Sequence, residues 1–123
     1  MTTNPYKGKT GLRRLINAFG YSLSGLRSAF RHEDAFRQEV AIAAVLIPVA
    51  FLLPVAATAR AVLLASVFLV LIVELLNTAV EAVVDRISPE DHDLAKRAKD
   101  IGSAAVMLSL ACMAVMWGVI LIA

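Results

Sequence analysis

A chain of 123 residues that is 59% hydrophobic and only 18% charged is too apolar to fold as a soluble domain of that size. Its formal net charge of +2 gives no case for a nucleic-acid partner, and where the charges stand matters more than their sum. The single cysteine, Cys112, excludes an internal disulfide; with no other ligand types beside it, it reads as a small apolar packing residue.

Residues 1–9, with Pro5 and Gly8, have the composition of a short flexible tail. A helix over 10–31 follows: Leu12, Leu15, Ile16, Phe19, Leu23, Leu26 and Phe30 recur at helical spacing, with Arg13, Arg14, Asn17, Tyr21, Ser24, Ser28 and Arg31 on the other side. This pattern predicts an interfacial helix whose basic flank is drawn to anionic headgroups. The basic, amphipathic start lacks a continuous apolar core before a small-residue site, so no cleaved signal peptide is expected. Tyr21 and Arg14 share one polar stripe, which also allows a ligand-facing role.

His32-Glu33-Asp34 marks a boundary, with Asp34 expected to cap a helix running through Arg37, Gln38 and Glu39 into a first span over about 34–55. Pro48 falls inside that span, where it kinks without forbidding a helix, and Pro54 fits the far end. Residues 40–59 and 101–123 carry no charge, and 61–84 carry only Glu74 and Glu81. At about 1.5 Å per residue each stretch can cross roughly 30 Å of hydrocarbon, which predicts further spans over about 60–86 and 98–122. Ser88-Pro89-Glu90 has the signature of a helix start, with Ser88 as cap. The expected fold is therefore an all-α membrane protein, one integral-membrane domain over 1–123 with three transmembrane helices and a surface helix. Lys7, Lys9, Arg13, Arg14, Arg27, Arg31 and Arg37 precede the first span; Arg86, Lys96, Arg97 and Lys99 lie between the second and third, against Arg60 alone between the first two. The positive-inside rule then places the N-terminus in the cytoplasm and the C-terminus outside.

The second span carries the chemistry. Glu74, Asn77, Thr78, Glu81 and Asp85 fall within about 100° of arc, so one helix face holds them all. Intramembrane carboxylates cost several kcal/mol and usually line a site or a water-filled pathway. Glu74 lies about 20 Å along the span and Glu81 about 10 Å further, so one acid can meet a group in the lipid and the other a group from water. Polar residues continue as Asp85, Glu90, His92, Lys96, Lys99 and Asp100, and Glu33 and Glu39 approach at the same level. A hard cation such as Mg²⁺ takes carboxylate oxygens and shares its shell with phosphates; Glu33 and Glu81 are suitable ligands, and Lys99 or Arg14 can pair with phosphate. His92 has no second histidine or cysteine nearby, which argues against zinc. No G-x-x-x-x-G-K-[ST] loop or Gly-rich strand loop of a soluble kinase is present. By themselves these residues support a small oligomeric membrane protein with an acidic site.

The segment Glu74-x-x-Asn77-Thr78-Ala79-Val80-Glu81-x-x-Val84-Asp85 resembles the signature of the prokaryotic diacylglycerol kinases. The resemblance extends to Gly20-Tyr21-Ser22, Gly25-Leu26-Arg27, Glu33 with 35–39, and 97–105. It implies a homotrimer in the bacterial inner membrane that transfers the ATP γ-phosphoryl group to the primary hydroxyl of diacylglycerol, giving phosphatidic acid. Glu74 then corresponds to the general base, with Asn77 positioning Glu74 or a phosphate. Glu33 and Glu81 correspond to the Mg·ATP ligands, and Arg14, Tyr21, Lys99 and Asp100 to nucleotide contacts. Glu90, Asp91 and His92 would lie over the base or ribose. Phe30, Ala35, Phe36, Arg37, Gln38 and Glu39, with Ser103, would line the lipid entry beside Glu74. The loop 88–93 and the outer turn 54–59, which lacks acids, depart most from the family pattern.

Other functions stay open on residues alone. A kinase for undecaprenol would share the motif and differ in groove shape. A proton or cation pathway lined by Glu74 and Glu81 would need neither Lys99 nor Glu33, and a purely structural subunit would tolerate replacement of every acid.

Overall fold

The computed structural model describes residues 11–87 and 92–123, and among them all regular structure is helical. The elements are α1 (Gly11–His32), α2 (Asp34–Leu52), α3 (Ala57–Ile87) and α4 (Asp93–Ile122). They fall into two compact units, Met1–His32 and Glu33–Ala123.

In the first unit α1 presents the apolar stripe expected of it, with Leu12, Leu15, Ile16 and Phe19 all more than 60% exposed. Arg31 and His32 occupy its last turn, where the Arg31 charge faces the negative end of the helix dipole. The His32 ring meets the Ser28 carbonyl at 2.9 Å; because a carbonyl only accepts, Nδ1 carries the proton and donates.

In the second unit α2, α3 and α4 are each long and apolar enough to cross a membrane. The fold class read from the sequence therefore holds: the chain is an all-α membrane protein with three candidate spans and one further amphipathic helix. At 31 residues α3 is about 46 Å long, well beyond the hydrocarbon thickness, so its polar end reaches past the apolar layer.

Helix limits depart from expectation where side chains override pattern. Asp34 does not cap α2: Glu33 is the capping residue, extended at φ −117° and ψ 112° without a side-chain cap bond, and Asp34 is already helical, paired with Arg37. Proline at 54 bars its neighbour from helical geometry, so α2 stops at Leu52 and Leu53 is extended. Arg60 then closes that end. Its guanidinium donates to the carbonyls of Ala50 at 2.9 Å, Phe51 at 2.6 Å and Val55 at 3.0 Å, satisfying acceptors that lipid would leave bare. α4 begins at Asp93, where the His92 ring caps it by accepting the Leu94 amide at 3.1 Å. The expected cap at Ser88 lies outside the described residues.

α3 packs along both α2 and α4. Ala43, Ala50, Leu63, Val67 and Trp117 form the core, with Leu46, Ile47, Leu71 and Met113 against it. Lipid is as apolar as leucine, so this end is held by close packing over small residues and by hydrogen bonds. Trp117 Nε1 donates to Ser66 Oγ at 3.1 Å, and Ser66 donates onward to the Leu63 carbonyl at 2.7 Å.

Candidate active site

The core face of α3 continues in helical steps from Leu63, Ser66, Val67 and Val70 to Glu74, which is only 5% exposed. The same turn-by-turn spacing that fills the core thus carries a carboxylate into it. Past Glu74 the face opens, with Asn77, Thr78 and Glu81 half-buried and Asp85 exposed. Asn77 Nδ2 donates to Glu81 Oε1 at 3.3 Å, one helical turn apart.

α2 supplies more acids to the same place. Glu39, 8% exposed, and Glu33, half-buried at the helix entry, both lie within electrostatic reach of Glu74, as does Glu81. Glu39 also borders a small cavity of about 10 Å³ with Ile42, Val67, Val70, Leu110 and Met113, where all three helices meet. Four carboxylates drawn from two helices repel one another; their grouping is costly for folding unless protons or a cation neutralise it. Two polar atoms here, Glu39 Oε2 and Asn77 Oδ1, are buried without a hydrogen-bond partner.

α4 closes the third side. Lys99 Nζ meets Asp85 Oδ1 at 2.5 Å, so a cation stands one turn beyond Glu81, and Lys96 pairs with Asp100 at 2.6 Å. Gly102 faces Asn77 so closely that a side chain at 102 would overlap its amide oxygen.

The structure therefore brings Glu33, Glu39, Glu74, Asn77 and Glu81 together, with Lys99 alongside through Asp85. On α2, Phe36 is buried at 3% exposure and Arg37 half-buried, whereas Ala35 and Gln38 are exposed on the other side. Ser103 and Asp100 are exposed on α4, and His92 serves as the helix cap. Arg14, Tyr21 and Phe30 stand on α1 in the other unit. Glu90 and Asp91 lie outside the described residues.

Arg60, Ser66, Trp117 and Gly102 stand out as individual actors only once the helices are packed. Three of the four carry a faint signal in the sequence: Arg60 as a lone cation at a helix turn, Trp117 as an indole N–H that needs an acceptor in an apolar span, and Gly102 as a glycine inside a helix. Among the described residues no group of three or more His, Cys, Asp or Glu side chains is placed to hold a metal by itself.

A buried carboxylate inside an apolar helix, a second where that helix becomes polar and a cation one turn beyond it suit transfer of a charged group onto an apolar acceptor. Comparison with known proteins points the same way. Residues 20–121 match the family model described as prokaryotic diacylglycerol kinase. The diacylglycerol kinase of Pseudomonas aeruginosa is 56% identical over 122 residues, covering 99% of either chain. That of Haemophilus influenzae is 51% identical over 112 residues, 91% of this chain and 95% of the relative. The Escherichia coli enzyme of the same name is 49% identical over 112 residues, 91% and 92% respectively. With relatives aligned almost end to end and the acidic stripe inside the matched region, the chain belongs to the prokaryotic diacylglycerol kinase family.

Proposed function

We propose that the acidic end of the bundle transfers the γ-phosphoryl group of ATP to the primary hydroxyl of diacylglycerol at the boundary between lipid and water, giving phosphatidic acid. The family makes the chain a diacylglycerol kinase; the assignment of roles to residues is the further step. The observation that carries it is Glu74, a carboxylate 5% exposed on the core face of a membrane-spanning helix, with Glu81 two turns nearer the polar end.

Glu74 accepts the proton as the lipid hydroxyl attacks phosphorus, which is general-base catalysis at the depth where a glycerol hydroxyl rests. Glu33 and Glu81 suit a magnesium ion in their chemistry: two half-buried carboxylates from different elements, each within electrostatic reach of Glu74, that would leave most of the shell to phosphate and water. Magnesium, when bound, neutralises phosphate oxygens during transfer. Asn77 holds the Glu81 carboxylate through its amide nitrogen. Lys99, beside Asp85, supplies positive charge toward phosphate, and Asp100 and His92 contact the nucleotide. Residues 35–39 and Ser103 line the approach of the lipid.

The active form is a homotrimer in the bacterial inner membrane, with the N-terminus cytoplasmic. Three helices leave Asn77, Thr78 and Glu81 only half-covered and Asp85 exposed, so neighbouring subunits complete the enclosure and keep lipid from the polar face.

The deciding experiment is phosphoryl transfer from labelled ATP by purified protein in mixed micelles, with diacylglycerol and undecaprenol offered side by side, with and without Mg²⁺. Faster, Mg²⁺-dependent labelling of diacylglycerol is expected. Preference for undecaprenol would transfer the proposal to polyprenols, and labelling of neither lipid by folded protein would point to an ion pathway.

A further inference from the structure

We propose that Gly102 is a positioning residue for the metal–nucleotide end of the site: its missing side chain is the seat of the Asn77 amide oxygen, and that seat keeps the amide nitrogen on Glu81. The inference rests on the reading of Glu81 as a Mg·ATP ligand.

Glycine is the poorest helix former apart from proline, so one inside a thirty-residue helix calls for a reason. A Cβ built at Gly118, also in α4, would meet nothing within 4 Å. At Gly102 the same atom would overlap Asn77 Oδ1, closer than side-chain carbons approach an oxygen, and stand 3.2 Å from Asn77 Cγ. Among the described glycines, Gly102 alone has its open side filled by another residue.

The chemistry of the amide fixes which way it faces. Asn77 Nδ2 donates to Glu81 Oε1 at 3.3 Å. A carboxylate accepts and does not donate, so the nitrogen must face Glu81 and the oxygen must face away. That oxygen is buried and has no donor. Shape therefore holds it in place: it fits because position 102 has no side chain. The amide is planar and rigid, so a methyl group that displaces the oxygen also swings the nitrogen off Glu81. The Glu81 carboxylate then loses the hydrogen bond that orients it, much as a metal ligand does when its supporting partner is removed.

The test uses full-length Gly102→Ala, Asn77→Ala and the double variant, purified in mixed micelles. Initial rates are measured against Mg·ATP at saturating diacylglycerol and against diacylglycerol at saturating Mg·ATP. Gly102→Ala is expected to raise KM for Mg·ATP by about tenfold or more while KM for diacylglycerol stays the same. In the Asn77→Ala background the added Gly102→Ala should change neither constant, because the group it displaces is gone. Equal losses in both backgrounds would overturn the proposal, since the glycine would then serve helix packing apart from Asn77. An unchanged KM for Mg·ATP in Gly102→Ala, with a raised one in Asn77→Ala, would overturn it while leaving the Glu81 reading intact. A wild-type KM in Asn77→Ala would also overturn the proposal, since Glu81 would then not depend on the amide, while an unchanged KM in Glu81→Gln would remove the underlying reading of Glu81. If Gly102→Ala does not fold, recovery of folded protein in the double variant supports the seat, and failure of both overturns it.

Discussion

At the Trp117 end of the α2–α3–α4 unit the buried polar groups are paired, whereas at the Glu81 end two of them are not. Trp117 meets Ser66, Ser66 meets the Leu63 carbonyl, and Arg60 gathers the free carbonyls of Ala50, Phe51 and Val55. At the other end Glu39 Oε2 and Asn77 Oδ1 are buried without partners, and carboxylates of two helices lie within electrostatic reach of one another. Both ends belong to the same three helices. A bundle in lipid gains little from apolar contact, so each unpaired polar atom weighs against stability. The paired end accounts for why the helices associate. The unpaired end is the one to which the proposed binding and transfer are assigned, and functional sites are where proteins usually depart from local rules.

That contrast can be broken by exchanging charge for neutrality at the acidic end and by removing partners at the closed end. The largest effect should come from Glu74→Gln, which keeps shape and removes the proton acceptor: kcat for diacylglycerol phosphorylation should fall by about 10²–10⁴-fold, with helix content by circular dichroism unchanged. Retention of most activity would remove Glu74 from the role of base. Glu81→Gln should weaken Mg·ATP by roughly 10–100-fold, read as a rise in KM for Mg·ATP, because the Asn77 amide cannot compensate for a lost ligand charge.

The closed end should respond in stability instead. Arg60→Met keeps an apolar stem but leaves three carbonyls without their donor. A loss of about 1–3 kcal/mol is expected in a denaturation series in micelles, with near-normal turnover for protein that remains folded. Ser66→Ala should cost less, about 0.6–1.5 kcal/mol, the range for hydrogen bonds between membrane helices. If Ser66→Ala abolished turnover without loss of stability, the division between the two ends would be mistaken.

Much of this molecule is written in local pattern. Uncharged runs mark the spans, the 3.6-residue stripe from Leu12 to Phe30 marks α1, and the placement of Glu74, Asn77 and Glu81 at i, i+3 and i+7 puts them on one face by spacing alone. These features are legible because they depend on periodicity and on the cost of charge in hydrocarbon, both properties of a single helix. Limits of helices are less legible, since Asp34 has the look of a cap and Glu33 holds that place.

Tertiary structure decided the rest, because a contact between helices depends on rotation and depth that no single helix specifies. Only packing made Arg60 the clasp of the α2 end, joined Trp117 to Ser66 across 51 residues of sequence, and set Lys99 on Asp85. Packing also gave Gly102 its meaning: in sequence it is a poor helix residue, and against α3 it is the space that Asn77 occupies. The chain by itself determined that acids would enter a membrane helix on one face, since their spacing and the apolar residues around them are covalent facts. Which neighbours those acids would meet, and which polar atoms would remain without partners, was settled when α2 and α4 closed on α3, where side-chain shape governs distances that helical periodicity leaves open.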